Sequence, residues 1–446
     1  MAGFIDLFRS GGWLTRERVR LVALAVLAAS LIGAGFLIVT AHGLNDRLGR
    51  PLGTDFASFY AAGTLVRDGM AASAYDHAAH FAREQAIFGS ATQFYFFPYP
   101  PFFLLLAGAF ALLSYPLALI LWQCATLALY LLSIRAIVFS SWPGLSRPST
   151  PAFSLPPQGV DARHEAGHDG ERAHTGDPLY LLLAIAFPAV FINIGHGQNG
   201  FLTAGLVGFA LVALERRPLL AGVLFGLLAY KPQFGLMIPL ALLVTGQWRT
   251  IAAAAATVAL LALATLAAFG SGIWLAFFAS MPFTRSVVLE HGAIDWYKLQ
   301  SVYSWVRMWG GSIDLAYVIQ AVVTISIAAG LAWLWRSRAR FALKAAALPV
   351  ATLLATPFCF DYDLMLLAPA IAFLAADGFE HKFAPWMKTL LAALWIVPLL
   401  SRSVAEATLI PLTVPLLLLA FGFMLRRAMT HGDPSRLWHF APRVLK

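Results

Sequence analysis

Three observations predict an all-α, multi-pass membrane fold. The chain of 446 residues is 60% hydrophobic and only 12% charged, where a soluble domain carries roughly 25% charged residues. Its apolar residues come in continuous runs rather than in alternation, which favours spanning helices over a β-barrel. Its net charge of +9 sits mainly in short flanks between those runs, the mark of cytosolic loops and not of a nucleic-acid surface. Cys124 and Cys359 both fall in apolar segments, so no structural disulfide is expected.

The opening RSGGWLTRERVR is basic and is assigned to the cytosol. The first span is expected over Leu21–Ala41, with no small-residue cleavage site after it, so it is read as retained and not as a signal peptide. A polar segment, His42–Phe97, follows outside. Spans are then expected near Tyr99–Leu113 and Tyr115–Phe139, and a Pro- and Ser-rich insert, Ser140–Pro178, reads as a flexible loop. Further runs cover Leu179–Ile194, Phe201–Leu214, Leu219–Tyr230, Gln233–Thr245 and Ile251–Gly270, ahead of a second polar segment, Ser271–Ser312. The last runs cover Ile313–Trp335, Ala345–Phe358, Leu364–Ala376, Met387–Leu400 and Leu409–Leu425. Several fall short of the roughly 20 residues a span needs, so half-length or tilted helices meeting at polar turns are expected.

The loop RSRARFALK, Arg336–Lys344, has four basic residues and no acid, and the tail 426–446 is also basic. Both are assigned to the cytosol. Thirteen runs place the termini on opposite sides, whereas charge places them on the same side. One run is therefore miscounted, and the pair around Lys231 is the first suspect. The whole chain, 1–446, is read as a single integral membrane domain in the inner or plasma membrane. Its parts are a first outer loop at 42–98, the insert at 140–178, a second outer loop at 271–312 and the basic tail.

The insert contains HEAGHDGERAH, in which His164, Glu165 and His168 spell a zinc-protease pattern. That chemistry needs both histidines on one face of a firm helix. Gly167 lies inside the motif and Gly170 just after it, and each costs a helix about 1 kcal/mol. Prolines bracket the segment, so a solvated loop is expected.

The stretch TDFASFYAAG places Asp55 just beyond the first span. Phe56, Phe59 and Tyr60 alternate with small residues, which suits a helix at the membrane surface with one face packed on protein. FYFFPYPPFF, with Tyr99, closes the same loop as an aromatic belt stiffened by prolines. Deeper in the chain, polar groups interrupt apolar runs. NIGHGQNG supplies His196, Gln198 and Asn199, AYKPQ supplies Lys231 and Gln233, and TPFCFDYD supplies Asp361 and Asp363. Ionisable residues in membrane segments point to function. A polar cavity at the outer membrane edge is expected, suited to a reaction between a lipid-linked donor and a polar acceptor. Asp55 would take a proton from an acceptor hydroxyl. Lys231 would neutralise a leaving phosphate, or else pair with Asp361 or Asp363. Tyr60, Tyr75 and Tyr99 are of the kind that anchors at interfaces, as are Trp296, Tyr303, Trp305 and Trp309.

In its motifs and their order the chain resembles glycosyltransferase family 87 of the GT-C superfamily, which includes polyprenyl-phosphomannose-dependent mannosyltransferases. The resemblance rests on Asp55 followed by FYAAGTLVRDG, on YPPFFLLL, on GQNGFLTAGLVG and on LLAGVLFGLLAYKPQFGLMIPLALL. It implies a GT-C-like fold with an outward cavity and an inverting transfer of a hexose, mannose above all, from a polyprenyl-phosphate sugar. The acceptor would be a hydroxyl of a lipid-linked molecule or glycan, with no metal or other cofactor. It also implies an acid in the first outer loop as base, which maps to Asp55. Tyr60, Tyr99, His196, Gln198, Asn199, Lys231, Gln233, Asp361 and Asp363 become candidate substrate-binding residues. The chain departs from the family where TPFCFDYD stands in place of a histidine-bearing stretch. A non-enzymatic lipid or sugar transporter is the rival of a different class, but such proteins often show repeated halves, and none is visible here.

Overall fold

The computed structural model describes residues 2–140, 178–292 and 294–431, all of them in helices, turns and loops apart from isolated backbone bridges. The motif of His164, Glu165 and His168 lies outside the described residues. A short amphipathic helix, α1 (Ala2–Ser10), precedes the long α2 (Arg16–Val39), whose first turn is capped by the Thr15 hydroxyl. Of its 24 residues α2 buries only Ala23, as suits a peripheral helix that touches the bundle along one narrow face and turns the rest to lipid. The first polar segment folds into α3 (Thr54–Arg67), a 3₁₀ turn at Ala71–Tyr75, and α4 (His77–Phe88). Then come α5 (Phe102–Phe110) and α6 (Tyr115–Ser140).

The middle of the chain is a series of short pieces: α7 (Leu179–Ile185), α8 (Pro188–His196), α9 (Gly200–Ala213), α10 (Pro218–Gly226) and α11 (Met237–Val244). Each break has a local cause. Pro188 and Pro218 start helices, where the missing N–H costs nothing. Pro232 disfavours the helical conformation at Lys231, and Lys231 stands at φ −121°, ψ 75° between two 3₁₀ turns. The longer α12 (Trp248–Phe269) then leads to α13 (Gly272–Thr284) and α14 (Val302–Met308) in the second polar segment. The chain ends with α15 (Ile313–Arg336), α16 (Phe341–Ala355), a 3₁₀ turn at Asp361–Leu366, α17 (Leu367–His381), α18 (Met387–Thr408) and α19 (Thr413–His431). Twelve of the fifteen residues of α16 are buried, which puts it at the centre of the bundle. The two polar segments meet at one end of the bundle, where His77 stacks on Phe283 with ring centroids 3.6 Å apart.

Among the described residues, eight helices are long and apolar enough to cross a membrane, and four shorter apolar ones accompany them. The protein is an all-α, multi-pass membrane protein. The surplus thirteenth run is Tyr99–Leu113 and not the pair around Lys231. Its helix, α5, has nine residues, or roughly 14 Å at 1.5 Å per residue, and cannot span about 30 Å of hydrocarbon. Three prolines before it and Ser114-Tyr115-Pro116 after it cut the run short. The runs around Lys231 form a hairpin, which leaves parity unchanged whether or not it crosses. With α5 removed, parity and charge agree. Ile5 and Arg9 of α1 line the same cavity as Arg426 and Arg427 of α19, so both ends of the described chain lie at one end of the bundle.

The helix carrying Asp55 is packed on protein over more of its surface than one face. Nine of the fourteen residues of α3 are buried, because α5 packs directly against it. A Cβ at Gly63 would stand 2.0 Å from the Ala107 carbonyl oxygen.

Candidate functional site

Two glycines bring the first wall of the site together. Gly53, at the start of α3, and Gly197, at the end of α8, both adopt left-handed conformations, with φ of 70° and 62°. Side chains rarely adopt this region. The backbones also meet: a Cβ on Gly197 would lie 2.5 Å from the Phe56 Cβ and 3.3 Å from the Gly53 Cα. The Trp122 indole donates to the Gly197 carbonyl at 3.0 Å, and the Tyr115 hydroxyl donates to the Leu52 carbonyl. Thr54 and Asp55 are thereby held against His196 and Gln198.

Gln198 fixes the carboxylate. Its Oε1 accepts from the Tyr99 hydroxyl at 3.1 Å and from the Asn199 backbone N–H at 2.8 Å. Both are donors, so the amide nitrogen must face the other way, and it donates to Asp55 Oδ2 at 3.0 Å. Burial and the nearby Asp55 charge push the Tyr99 phenol well above its ordinary range, which keeps it a donor. Asp55 Oδ1 lies 3.8 Å from His196 Nδ1, which is itself 2.8 Å from the Thr54 hydroxyl. Asp55 and His196 are 27% and 31% exposed. The carboxylate is thus oriented by one buried amide on Oδ2, while Oδ1, with only a long 3.5 Å bond from the Thr54 hydroxyl, lies on the more open side.

The facing wall comes from the far part of the chain. Asp361 is buried, its Oδ1 accepts from the Tyr362 N–H at 2.9 Å, and its Oδ2 stands 3.7 Å from an Arg402 nitrogen. Arg402, on α18, is 41% exposed, and its guanidinium lies 5.9 Å from the centroid of Tyr297. Asp361 is close enough to His196, Arg402 and Asp55 to interact electrostatically with all three. Tyr362 joins the walls, with its ring 6.0 Å from His196 and stacked on Phe360. The result is a half-open site with one half-buried carboxylate, one imidazole and one guanidinium.

Other expected site residues are placed elsewhere. Lys231 is 2% exposed, and its ammonium sits 2.5 Å from Asp363 Oδ1, with the rings of Phe234 and Tyr362 beside it. The second oxygen of Asp363 accepts from the Phe360 N–H at 3.0 Å. The counter-charge of Lys231 is therefore Asp363, and its ammonium is sealed from the site. Among the described residues no three His, Cys, Asp or Glu gather where they could hold a metal ion. Tyr60 points away, its hydroxyl donating to the Leu113 carbonyl at 2.8 Å. Gln233 is half-buried in the turn after Lys231, and Asn199 is buried behind Gln198. Tyr75 donates to the Tyr99 carbonyl at 2.8 Å. Tyr303, taken from sequence as an interface residue, is buried in a small core with Leu289 and Leu299.

Sequence reading missed Thr54, Tyr297, Tyr362 and Arg402. Only Arg402 carried a signal. The apolar run was ended at Leu400, yet α18 continues to Thr408, and a lone arginine inside a membrane helix points to function.

A carboxylate held in place but left partly open, at one end of a lipid-embedded bundle and sharing its site with one guanidinium, is the arrangement of a membrane-bound group-transfer enzyme. Residues 96–357, more than half of the chain, match the family model of glycosyltransferase family 87. The chain belongs to that family and is a membrane glycosyltransferase. No curated protein and no solved structure matches it. The matched stretch includes Tyr99, His196, Gln198, Asn199, Lys231 and Gln233, while Asp55, Asp361, Asp363 and Arg402 lie outside it.

Proposed function

We propose that this glycosyltransferase moves a hexose, mannose first among the candidates, from a polyprenyl-phosphate donor to a hydroxyl of a lipid-linked or glycan acceptor. The observation that carries this reading is a half-buried, oriented carboxylate, Asp55, in the same site as Arg402, which stands 3.7 Å from Asp361, at the end of the bundle opposite the basic loops. Positive flanks face the cytosol. The site then faces the outer side of an inner or plasma membrane, where a lipid-linked donor presents its headgroup.

The step is a single inverting displacement. The acceptor oxygen attacks the anomeric carbon, its proton passes to Asp55 Oδ1, and the bond from the anomeric carbon to the phosphate oxygen breaks. Polyprenyl phosphate leaves with the electron pair of that bond. Gln198 holds Asp55 in line, and Arg402, with His196, offsets the charge that grows on the phosphate, where fixed donors act most strongly. Tyr297, half-buried beside Arg402, offers a ring to the sugar. No metal or other cofactor is assigned a part.

The test is transfer by purified protein in nanodiscs, with polyprenyl-phosphomannose as donor and release of polyprenyl phosphate as readout. Asp55→Asn is expected to keep the fold and donor binding and to lose about 10²–10⁴-fold in turnover, the usual worth of a positioned base. Near-normal turnover by the folded variant would overturn the assignment.

A further inference from the structure

At the end of the bundle away from Asp55, a second site stands apart from the catalytic one. The two ends are separated by α2, whose 24 residues span roughly 36 Å. Here a cavity of about 560 Å³ opens between α1, the turn ahead of α18, and α19, lined by Ile5, Arg9, Trp386, Phe423, Arg426 and Arg427 among others. Two features set its chemistry. Its walls are largely apolar, and α1 adds exposed Phe4, Ile5 and Leu7 beside it. Three guanidinium groups line it, and among the described residues Arg9 and Arg426, both exposed, form no ion pair.

The scaffold is rigid where it needs to be. The Trp386 N–H donates to the Arg9 carbonyl at 2.7 Å, and the Thr389 hydroxyl donates to the Phe8 carbonyl at 2.6 Å, so α1 is fixed on α18. Arg427 is held by the buried Asp377 carboxylate, which also binds Arg340. One carboxylate against two guanidinium groups leaves the cluster net positive. Among the described residues no acid lines the cavity, and of those close by in sequence Asp6 is exposed on α1 and Glu380 lies against His381.

We infer that this cavity binds an anionic phospholipid, with the phosphate headgroup between Arg9 and Arg426 and the acyl chains along Ile5, Phe423 and the outer face of α1. Basic pockets between membrane helices at the positively charged end take such headgroups, and an amphipathic helix with exposed aliphatic and aromatic side chains sits where acyl chains begin. The chain's own tail is a poor occupant on charge, because Arg436, Arg443 and Lys446 outnumber its Asp433.

The test uses the full chain purified in a neutral detergent. Native mass spectrometry and melting temperature are read with added phosphatidylglycerol, phosphatidylcholine or inorganic phosphate. Phosphatidylglycerol is expected to be retained and to raise the melting temperature, while the other two do neither. Arg9→Gln with Arg426→Gln should bind phosphatidylglycerol about 30-fold more weakly, the loss for two cations beside an anionic lipid, with an unchanged melting temperature in detergent alone. Should the double variant fail to fold, each single variant should show about a 5-fold loss. The inference falls if the variants bind as the parent does, if phosphatidylcholine serves equally, if inorganic phosphate stabilises as well as the lipid, or if the parent binds no lipid. None of these readouts depends on sugar transfer, so the result stands apart from the proposed reaction.

Discussion

Replacing Lys231 by methionine separates a structural ion pair from a substrate-binding cation. The side chains of Lys231 and Asp363 are 2% and 1% exposed and 2.5 Å apart. Methionine fills most of the lysine volume, so little cavity is left, and the loss falls on the charge. Removing one partner of a buried pair costs about 3–5 kcal/mol, because the other charge stays buried without compensation. The ring contacts with Phe234 and Tyr362, at 5.4 and 5.2 Å, add about 0.5–2 kcal/mol to what the ammonium loses. The bond from the Phe360 N–H to Asp363 survives and softens the effect. Lys231→Met is therefore expected to be about 3–5 kcal/mol less stable. Adding Asp363→Asn keeps an acceptor for Phe360, removes the stranded charge, and should restore about half of that. The assay is reversible unfolding in mixed micelles for the four members of the cycle, with donor-lipid binding measured on the folded fraction. A Lys231→Met protein of parental stability that no longer binds donor would refute the structural pair and return Lys231 to the phosphate.

Arg402→Gln is expected to lower kcat/KM by about 10²–10³-fold, the cost of removing one donor to a developing charge, with Arg402→Lys restoring part of it. Equal activity in the glutamine variant would remove Arg402 from the site. Gln198→Leu leaves Asp55 without its orienting donor, so kcat should drop about 10-fold with little change in KM, the mark of a lost alignment. An unchanged kcat would make Gln198 a packing residue only. Glu84 is fully buried beside His80, and burial raises its carboxyl above the ordinary value. The folded state thus holds that proton more tightly than the unfolded state. Its stabilising share is full below the ordinary carboxylate range and is lost as pH rises through the raised value. The melting temperature should fall over that window, and Glu84→Gln, which still accepts from the Tyr95 N–H, should flatten the fall. Parallel curves for the two proteins would exclude Glu84 as the cause.

Local chemistry was legible in the sequence. Long apolar runs flanked by basic residues fix spanning helices, because the cost of unpaired backbone in lipid leaves the chain no other form. Pro232 alone announces the break at Lys231, and Asp55 stands out as an acid at the head of a polar segment. Distance in the chain hid the rest. The partner of Lys231 lies 132 residues away, and nothing local to Lys231 distinguishes Asp363 from Asp361. Only packing seals one of these acids against the lysine and turns the other toward Arg402. Likewise α5 looks apolar enough to span, and only its docking on α3 shows it lying beside the site. A sequence sets which segments must leave water and which groups cannot be buried alone. Which of several equivalent acids meets which cation is decided by where the helices cross, and that depends on side chains from every element at once.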